Sequence, residues 1–242
     1  MSIATLRAIY DREMFDPGIV GLFVNPFYFA RKGLIAAIRG AAREITGRTL
    51  DVGCGQKPYR YLFASTEYVG LELDTPANRQ YKRAEFYYDG TTFPFDAGAF
   101  DSVVCNQVLE HVPDPHGFMT EIRRVLKPNG ALLLTVPFVW DEHEQPHDYT
   151  RYSSFGLTHL LQQCGFTKIE HRKTMADLRT VFQLINGYLY KKTVTSNGYF
   201  NLLATLILMA PINLAGEIVG RVLPGNADLY LDNVVLARKV AE

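Results

Sequence analysis

The sequence predicts an α/β fold with a seven-stranded, mostly parallel sheet and helices on both faces. Short apolar runs rich in β-branched residues alternate along the chain with segments of helical periodicity. The first run enters a glycine turn at residues 53–55, and Glu72 ends the second run. In such a sheet, ligands bind at the carboxyl ends of the strands.

The elements follow in chain order. Residues 1–25 show no clear period, whereas residues 26–46 carry an apolar stripe that predicts a helix, with Gly47 as a suitable stop. Asp114 and Pro115 signal the start of another helix, and Gly165 ends a helix over residues 154–164. Strands are predicted at residues 49–52, 68–73, 86–88, 101–105, 131–136, 166–169 and 229–237.

A helical insertion is predicted at residues 174–226, before the last strand. Leu178, Phe182, Ile185 and Leu189 share one helical face, and residues 193–216 contain no charged residue. The apolar run at 202–212 is shorter than the about twenty residues that span a bilayer, and Pro211 predicts a kink. We therefore expect no transmembrane span. We favour a cap over the substrate pocket or a homodimer interface over a surface that contacts lipid.

Length and composition exclude several classes of protein. The 242 residues suffice for a single domain, which we divide into an N-terminal helical region (1–47), a ligand-binding core (48–173), the insertion (174–226) and the last strand with the C-terminus (227–242). The 25 basic and 25 acidic residues argue against a nucleic-acid partner. Three cysteines without a CxxC spacing predict reduced thiols, and the charged N-terminal segment lacks a secretion signal, so we expect a cytoplasmic protein.

The first glycine turn carries the pattern of a nucleotide site. Gly53 and Gly55 allow close approach of the backbone to a ligand, and Glu72 can accept hydrogen bonds from ribose hydroxyls. Asp89, after the third strand, can accept a hydrogen bond from an adenine amino group. A dinucleotide dehydrogenase would need a further glycine where Pro58 stands, and is therefore disfavoured.

Four segments in register resemble the class I S-adenosylmethionine-dependent methyltransferases, and within them the group with a VLEH signature. They are LDVGCG, YVGLELD, YYDGTTFPFDAGAFDSVVCNQVLEHV and EIRRVLKPNGALLLTVP, and the resemblance covers residues 48–172. It implies a Rossmann-like fold and S-adenosylmethionine as cofactor, with S-adenosylhomocysteine as product.

The resemblance also implies the cofactor-binding residues. The turn would surround the methionine part, Glu72 would bind the ribose with Asp74 as a possible substitute, and Asp89 would lie by the adenine. The family often has a glycine where Lys57 stands, so the resemblance implies no cofactor contact at that residue. The full set is Asp51, Gly53, Cys54, Gly55, Glu72, Leu73, Asp74, Asp89, Gly90, Asn106 and Gln107.

The segment at residues 137–152 is the candidate acceptor side, because it follows the fifth strand and is dense in titratable groups. His143 or His147 could take a hydroxyl proton, and Asp148 could orient a histidine. Arg151 could hold a carboxylate or phosphate, while His111 has either a catalytic or a scaffold role. Trp140, Tyr149 and Tyr152 could stack on a ring or sugar.

This segment contains a match to the zinc-protease motif that does not predict a zinc protease. Residues 143–147 read HEQPH, but Pro146 would break the helix that places both histidines of that motif on one face. We expect no metal, although His143, His147 or Asp148 could hold a divalent ion.

We therefore expect a methyltransferase that acts on a small-molecule, sugar or lipid-linked acceptor, at oxygen in preference to carbon or nitrogen. Two alternatives stay open. One is a cofactor-binding scaffold without catalysis, for which the apolar insertion would be the partner surface. The other is an RNA methyltransferase, for which Arg31, Lys32, Arg39 and Arg43 would form a basic stripe.

Overall fold

The computed structural model describes residues 3–241, with side chains described from residue 5. These residues fall into two compact units. The sheet unit comprises residues 37–138 and 142–172 together with those from 233 onward. The helical unit comprises the residues up to 36, residues 139–141 and residues 173–232. Each unit is described separately below.

The predicted α/β fold with a seven-stranded sheet is confirmed. The sheet has the order β3-β2-β1-β4-β5-β7-β6, and the neighbours from β3 to β5 pair in parallel. β6 and β7 run antiparallel, since the Thr174 N–H donates to Asp232 at one end and the Val240 N–H to Gly165 at the other. The strands are β1 Thr46–Val52, β2 Ala64–Leu73, β3 Phe86–Tyr88, β4 Phe100–Asn106, β5 Leu126–Pro137, β6 Phe166–Lys173 and β7 Asp232–Lys239.

Two of the predicted helix ends are present as side-chain and glycine caps. Asp114 accepts a hydrogen bond from the Gly117 N–H at 3.0 Å, and Gly165 takes the left-handed conformation (φ +77°) after the helix that ends at residue 163. The helices are α1 Ile3–Phe15, α2 Gly21–Val24, α3 Tyr28–Ala41, α4 Pro76–Tyr81, α5 Pro115–Val125, α6 Ser154–Gln163, α7 Arg179–Thr193, α8 Gly198–Ala204 and α9 Ala210–Val222.

The sheet unit has a conventional apolar core. Leu50 and Val52 on β1, Val103 on β4 and Leu132 on β5 are fully buried and belong to one hydrophobic cluster. Because the interior strands are covered, their side chains are apolar almost without interruption, as in parallel sheets generally. The three cysteines, Cys54, Cys105 and Cys164, are buried free thiols, in agreement with the expected reduced state.

The helical unit shows the reverse distribution on α7. Gln183, Asn186 and Thr180 are fully buried, whereas Ile185 and Tyr188 are exposed. The Gln183 amide accepts from the Phe29 N–H and donates to the Pro26 carbonyl, so the polar side chain holds the chain entering α3. The apolar residues that share one face of α7 in the sequence therefore do not form the buried face.

The same reversal continues along α8 and α9. These helices are joined by a π-helical turn at Thr205–Met209, and together they form one continuous helix from Gly198 to Val222. Asn213 and Glu217 are buried, while Ile207 (61% exposed) and Ile218 (55% exposed) face outward. Asn213 donates to the carbonyls of Leu22 and Asn25 and accepts from Asn186.

This helix is longer than the sequence suggested. It has 25 residues and, among the described residues, is the one helix long and apolar enough to cross a membrane. The helix continues through Pro211, because the proline lies in the first turn of α9 directly after the π-helical turn, where the hydrogen-bond pattern is already shifted.

Candidate functional site

The turn after β1 contains two glycines whose backbone conformation favours glycine. Gly53 (φ +69°) and Gly55 (φ +53°) both lie in the left-handed region. A Cβ at residue 53 would meet the Val108 side chain at 2.3 Å, so the turn packs directly against the segment after β4. A Cβ at residue 55 would meet nothing within 4 Å, which leaves the Gly55 backbone facing open space. Such a surface suits a ligand that needs close backbone contact.

Glu72 connects the end of β2 to this turn. Its carboxylate Oε1 accepts the Gly55 N–H at 2.7 Å, and the residue is 7% exposed. Burial raises the pKa of Glu72, although the hydrogen bond from Gly55 opposes that effect. A carboxylate has about four lone-pair positions, so Glu72 keeps capacity for ribose hydroxyls while it fixes the loop.

Asp51 lies beneath the turn as a buried carboxyl group. It accepts a hydrogen bond from the Tyr68 hydroxyl at 2.8 Å. Burial raises the pKa of Asp51 to about 7, against the lowering effect of the Tyr68 bond and the Lys57 charge. Cys54, the middle residue of the turn, is also buried, and burial raises the pKa of its thiol to about 12. Asp51 is therefore a proton-holding group in a low-dielectric setting, and Cys54 is an inert thiol.

Lys57 stands where the methyltransferases that this sequence resembles often have a third glycine. Although it is a lysine, it adopts the left-handed conformation (φ +55°) that the glycine at this position would take. Its ammonium group lies 2.6 Å from Glu85 Oε1, and its side chain is almost fully buried. Lysine at this position is thus held in a left-handed conformation beside Glu85.

The other predicted carboxylates have structural partners. Asp74 is exposed and forms a two-bond ion pair with Arg79, with distances of 2.6 and 2.8 Å. Asp89 accepts from the Thr91 and Thr92 N–H groups, and these bonds together with the Thr91 hydroxyl lower the pKa of Asp89 to about 2. Leu73 is exposed between these groups, and Gly90 has φ +94°.

The end of β4 joins the end of β5 through Thr135. The Gln107 N–H donates to the Thr135 carbonyl at 2.9 Å, and the Thr135 hydroxyl donates to the Asn106 side chain at 3.4 Å. Gln107 also has a positive φ (+54°), which marks the turn where the chain leaves β4. Asn106 and Gln107 therefore lie at the same carboxyl edge of the sheet as Glu72 and the glycine turn.

The predicted acceptor histidines form a cluster that draws together the segments after β4 and β5. The rings of His111 and His143 are 4.8 Å apart and nearly perpendicular. His111 Nδ1 lies 2.7 Å from the His147 carbonyl oxygen, and His147 Nδ1 lies 3.2 Å from the Tyr149 hydroxyl. Burial lowers the pKa of His111, which favours its neutral form.

Asp148 contacts one histidine of this cluster, His143. Its Oδ2 lies 3.3 Å from His143 Nδ1 and accepts the His143 N–H at 2.9 Å. Arg151 donates two bonds of 2.6 Å to the same carboxylate and holds the pKa of Asp148 well below its usual range. The Arg151 guanidinium is thus engaged within the cluster, and its predicted role toward a substrate anion stays a prediction.

Residues 139–152 form no helix, which removes the zinc-protease geometry. Of the aromatic residues predicted to stack on an acceptor, Tyr149 is half-exposed and Tyr152 is buried. Trp140 belongs to the helical unit, where its ring lies 5.9 Å from that of Phe27. The sequence argument missed Glu110, a buried carboxylate next to His111 that lies in the signature segment itself.

Comparison with known proteins finds methyltransferases similar to this chain. Residues 50–134 match the methyltransferase domain family. An uncharacterized methyltransferase of Mycobacterium sp. (strain JLS) is 37% identical over 142 residues, covering 53% of this chain and 52% of that protein. The O-methyltransferase rstn1 of Aspergillus nomiae is 28% identical over 147 residues, covering 51% of this chain and 65% of its own. The chain thus spans about half the length of the first of these relatives.

Solved structures share the fold at lower identity. The [4+2]-cyclase SpnF has a TM-score of 0.56 at 19% identity, covering 86% of this chain and 81% of its own. The phosphoethanolamine N-methyltransferase 2 of Haemonchus contortus, solved with S-adenosylmethionine, has a TM-score of 0.54 at 20% identity, covering 94% and 59%. Over residues 50–134 in sequence, and in its fold, the chain is similar to proteins of the class I S-adenosylmethionine-dependent methyltransferase superfamily.

The residues at the carboxyl edge fit the cofactor of that superfamily. Gly55 presents open backbone, and Glu72 places a buried carboxylate at the end of β2. A carboxylate at Glu72 would also attract a ligand that carries an ammonium and a sulfonium group.

Proposed function

We propose that this protein transfers a methyl group from S-adenosylmethionine to a hydroxyl oxygen of a small-molecule, sugar or lipid-linked acceptor. The observation that carries the proposal is the joint location of two sites in the sheet unit. The glycine turn with Glu72 and the cluster of His111, His143 and Asp148 both follow the carboxyl ends of strands in one sheet. A cofactor site and an acid–base cluster at one sheet edge match the needs of hydroxyl methylation.

The cofactor supplies an electrophilic methyl group on a cationic sulfur. The turn at residues 53–55 would contact its methionine part through the backbone, and Glu72 would accept from the ribose hydroxyls. Asp89 and Gly90, after β3, would border the adenine. Asn106 and Gln107 would line the opening toward the acceptor.

Hydroxyl oxygen is the favoured acceptor because this cluster can remove a proton. A hydroxyl must lose its proton as the new bond to carbon forms, so a nearby base accelerates the transfer. His143 and His147 are the two candidate bases. His143 is oriented by Asp148, and His147 by its contact with the Tyr149 hydroxyl.

Substitution of both histidines tests this acid–base role. In His143→Ala/His147→Ala we expect S-adenosylhomocysteine formation with sugar and lipid-linked acceptors to fall by about 10²- to 10⁴-fold. The calorimetric affinity for S-adenosylmethionine should not change. His159→Ala, an exposed histidine on α6, is the matched control. Unchanged turnover in the double variant would remove the histidines from the mechanism.

A lipid-linked acceptor is favoured by the outer surface of the helical unit. The continuous helix from Gly198 to Val222 exposes Leu203, Ile207, Leu214 and Ile218 on one face. Its one acidic residue, Glu217, is buried and paired with Lys32, so no acidic group interrupts that face. We propose that this face lies in the interfacial region of a lipid bilayer, where an apolar helix face is stable.

Flotation with vesicles of phosphatidylglycerol and phosphatidylcholine tests the lipid surface. Wild type should float with the vesicles, and Ile207→Lys/Leu214→Lys should remain in solution. Phe155→Lys replaces an exposed aromatic residue of the sheet unit and should float like wild type. A wild type that does not float but forms a dimer in light scattering would overturn the proposal and make this face a homodimer interface.

A protein that binds S-adenosylmethionine without transferring its methyl group is the second candidate. A [4+2]-cyclase has a similar fold, so the fold alone does not imply methyl transfer. This candidate would bind S-adenosylmethionine and yield no S-adenosylhomocysteine with any acceptor. The charge balance gives no comparable support to an RNA methyltransferase, since the sequence is neutral overall.

A further inference from the structure

Three potential metal ligands meet beside the proposed acceptor site. One ligand atom each from Glu110, His111 and His143 lies within 4.8 Å of the others. Glu110 is fully buried and the two histidines are partly buried, so the group faces the protein interior on one side and remains accessible on the other. Residues from two different strand ends converge here, since Glu110 and His111 follow β4 and His143 follows β5.

The hydrogen bond of His111 fixes which of its nitrogens can bind a cation. Nδ1 lies 2.7 Å from the His147 carbonyl oxygen, and a carbonyl oxygen only accepts hydrogen bonds. Nδ1 therefore carries the proton, and in the neutral ring Nε2 carries the lone pair. Nε2 lies 3.8 Å from Glu110 Oε1, so two electron-rich atoms face each other at a distance that a shared cation would bridge.

His143 has the surroundings of a metal-binding histidine as well. Its Nδ1 lies 3.3 Å from Asp148 Oδ2, an atom that accepts hydrogen bonds, so Nδ1–H is directed there and Nε2 remains as the ligand atom. Asp148 is itself fixed by two bonds of 2.6 Å from Arg151. A carboxylate or a backbone carbonyl behind each histidine is the arrangement that orients imidazoles toward metals in proteins.

We propose that Glu110, His111 and His143 bind a divalent transition-metal ion through one carboxylate oxygen and two Nε2 atoms. Two imidazoles with one carboxylate suit Zn²⁺ and its neighbours in the first transition row, and three protein ligands leave a position open. The ring of His147 is not one of the proposed ligands. His147 instead accepts the hydrogen bond of His111 through its backbone carbonyl.

The role of this ion rests on the proposed function. At the open position the ion would bind the hydroxyl oxygen of the acceptor and make its proton more acidic. His143 is then a metal ligand, which leaves His147 as the group that accepts the proton. The acceptor hydroxyl would give its proton to His147 and keep the O–H electron pair. An oxygen lone pair would form the new bond to the methyl carbon, while the carbon–sulfur electron pair would leave with the sulfur.

Titration of the chelator-treated protein with Zn²⁺, followed by calorimetry, tests the site directly, with Co²⁺ absorption as a second probe. Wild type and His159→Ala should bind one equivalent. His143→Ala and Glu110→Gln should lose binding, and Asp148→Asn should weaken it by about 10- to 100-fold. Because Glu110 is buried, His143→Ala at the partly exposed rim decides the result if Glu110→Gln does not fold. Equal Zn²⁺ affinity in His143→Ala and wild type, or no binding by wild type, would overturn the site.

Separate readouts distinguish this inference from the proposed function. S-adenosylmethionine binding should be unchanged in His143→Ala, because that residue is not in the cofactor turn. If wild type binds Zn²⁺ and S-adenosylmethionine but His147→Ala forms S-adenosylhomocysteine as fast as wild type, the metal site stands and its assigned role is wrong.

Discussion

The interior strands of the sheet unit bury apolar side chains, whereas helices α7 and α9 of the helical unit bury several polar ones. In the sheet unit, leucine and valine fill the interior and the polar groups gather at the strand ends, as with Leu50 below and Glu72 at the edge. In the helical unit, Gln183, Asn186 and Asn213 are inside and Ile207 is outside. Burial of apolar side chains is usual for a protein in water. Exposure of apolar side chains along a helix favours contact with an apolar neighbour. Sequence periodicity alone does not separate the two, because both give a stripe.

The largest expected effect on stability comes from replacing the buried Asn213, which tests the burial of polar side chains in the helical unit. Asn213→Leu leaves the Leu22 and Asn25 carbonyls and the Asn186 amide without this partner. We expect the free energy of unfolding in urea to fall by about 3–5 kcal/mol, since each buried polar group left unsatisfied costs about 1–3 kcal/mol. Ile207→Ser, on the outside of the same helix, should change it by less than about 0.5 kcal/mol. If Ile207→Ser were the more costly change, the reversed burial would be wrong.

A smaller effect sharpens the account of the glycine turn. Gly53→Ala forces a Cβ against Val108 and strains a positive φ, so we expect a loss of about 2–4 kcal/mol in urea unfolding. Gly55→Ala has the same backbone requirement but meets no neighbour, and should lose about 1 kcal/mol. Equal losses in the two variants would mean that Val108 does not pack against the turn.

The smallest effect concerns the buried Asp51. Its pKa of about 7 in the folded protein lies above the unfolded value, so the folded state binds more protons between about pH 4 and 7. Stability should therefore decrease as the pH rises through that window, by about 2 kcal/mol from pH 5 to 7. Asp51→Asn should remove this decrease while keeping an acceptor for the Tyr68 hydroxyl. Urea midpoints of both proteins without cofactor at the two pH values provide the measurement.

The sequence predicted the sheet better than the helical unit, for a physical reason. Residues 86–88 form the expected strand, and Asp114 is the expected cap. Both features depend on residue types that are close together in the sequence. Helix α1 was missed, since it shows no clear apolar stripe. The helix continues through Pro211 because a π-helical turn precedes the proline, and no local sequence pattern predicts that turn.

The site was predictable only in part. The roles suggested for Glu72 and the glycine turn depend on neighbouring strands, whose order follows from the alternation of elements. The pairing of His111 with His143 arises from a contact between segments 32 positions apart, as their numbers show, and no spacing rule predicts it. The left-handed conformation of Lys57 likewise depends on the tertiary contact with Glu85, which a propensity argument does not contain.

The most direct test of the central claim is calorimetric titration with S-adenosylmethionine of wild type, Glu72→Gln and Asp74→Asn. Glutamine keeps an acceptor for the Gly55 N–H but loses the charge and one acceptor for the ribose. We expect micromolar binding by wild type, weakening by about 10- to 100-fold in Glu72→Gln, and no change in Asp74→Asn, whose carboxylate is held by Arg79. No binding by folded wild type, or full affinity in Glu72→Gln, would contradict the assignment of the cofactor site.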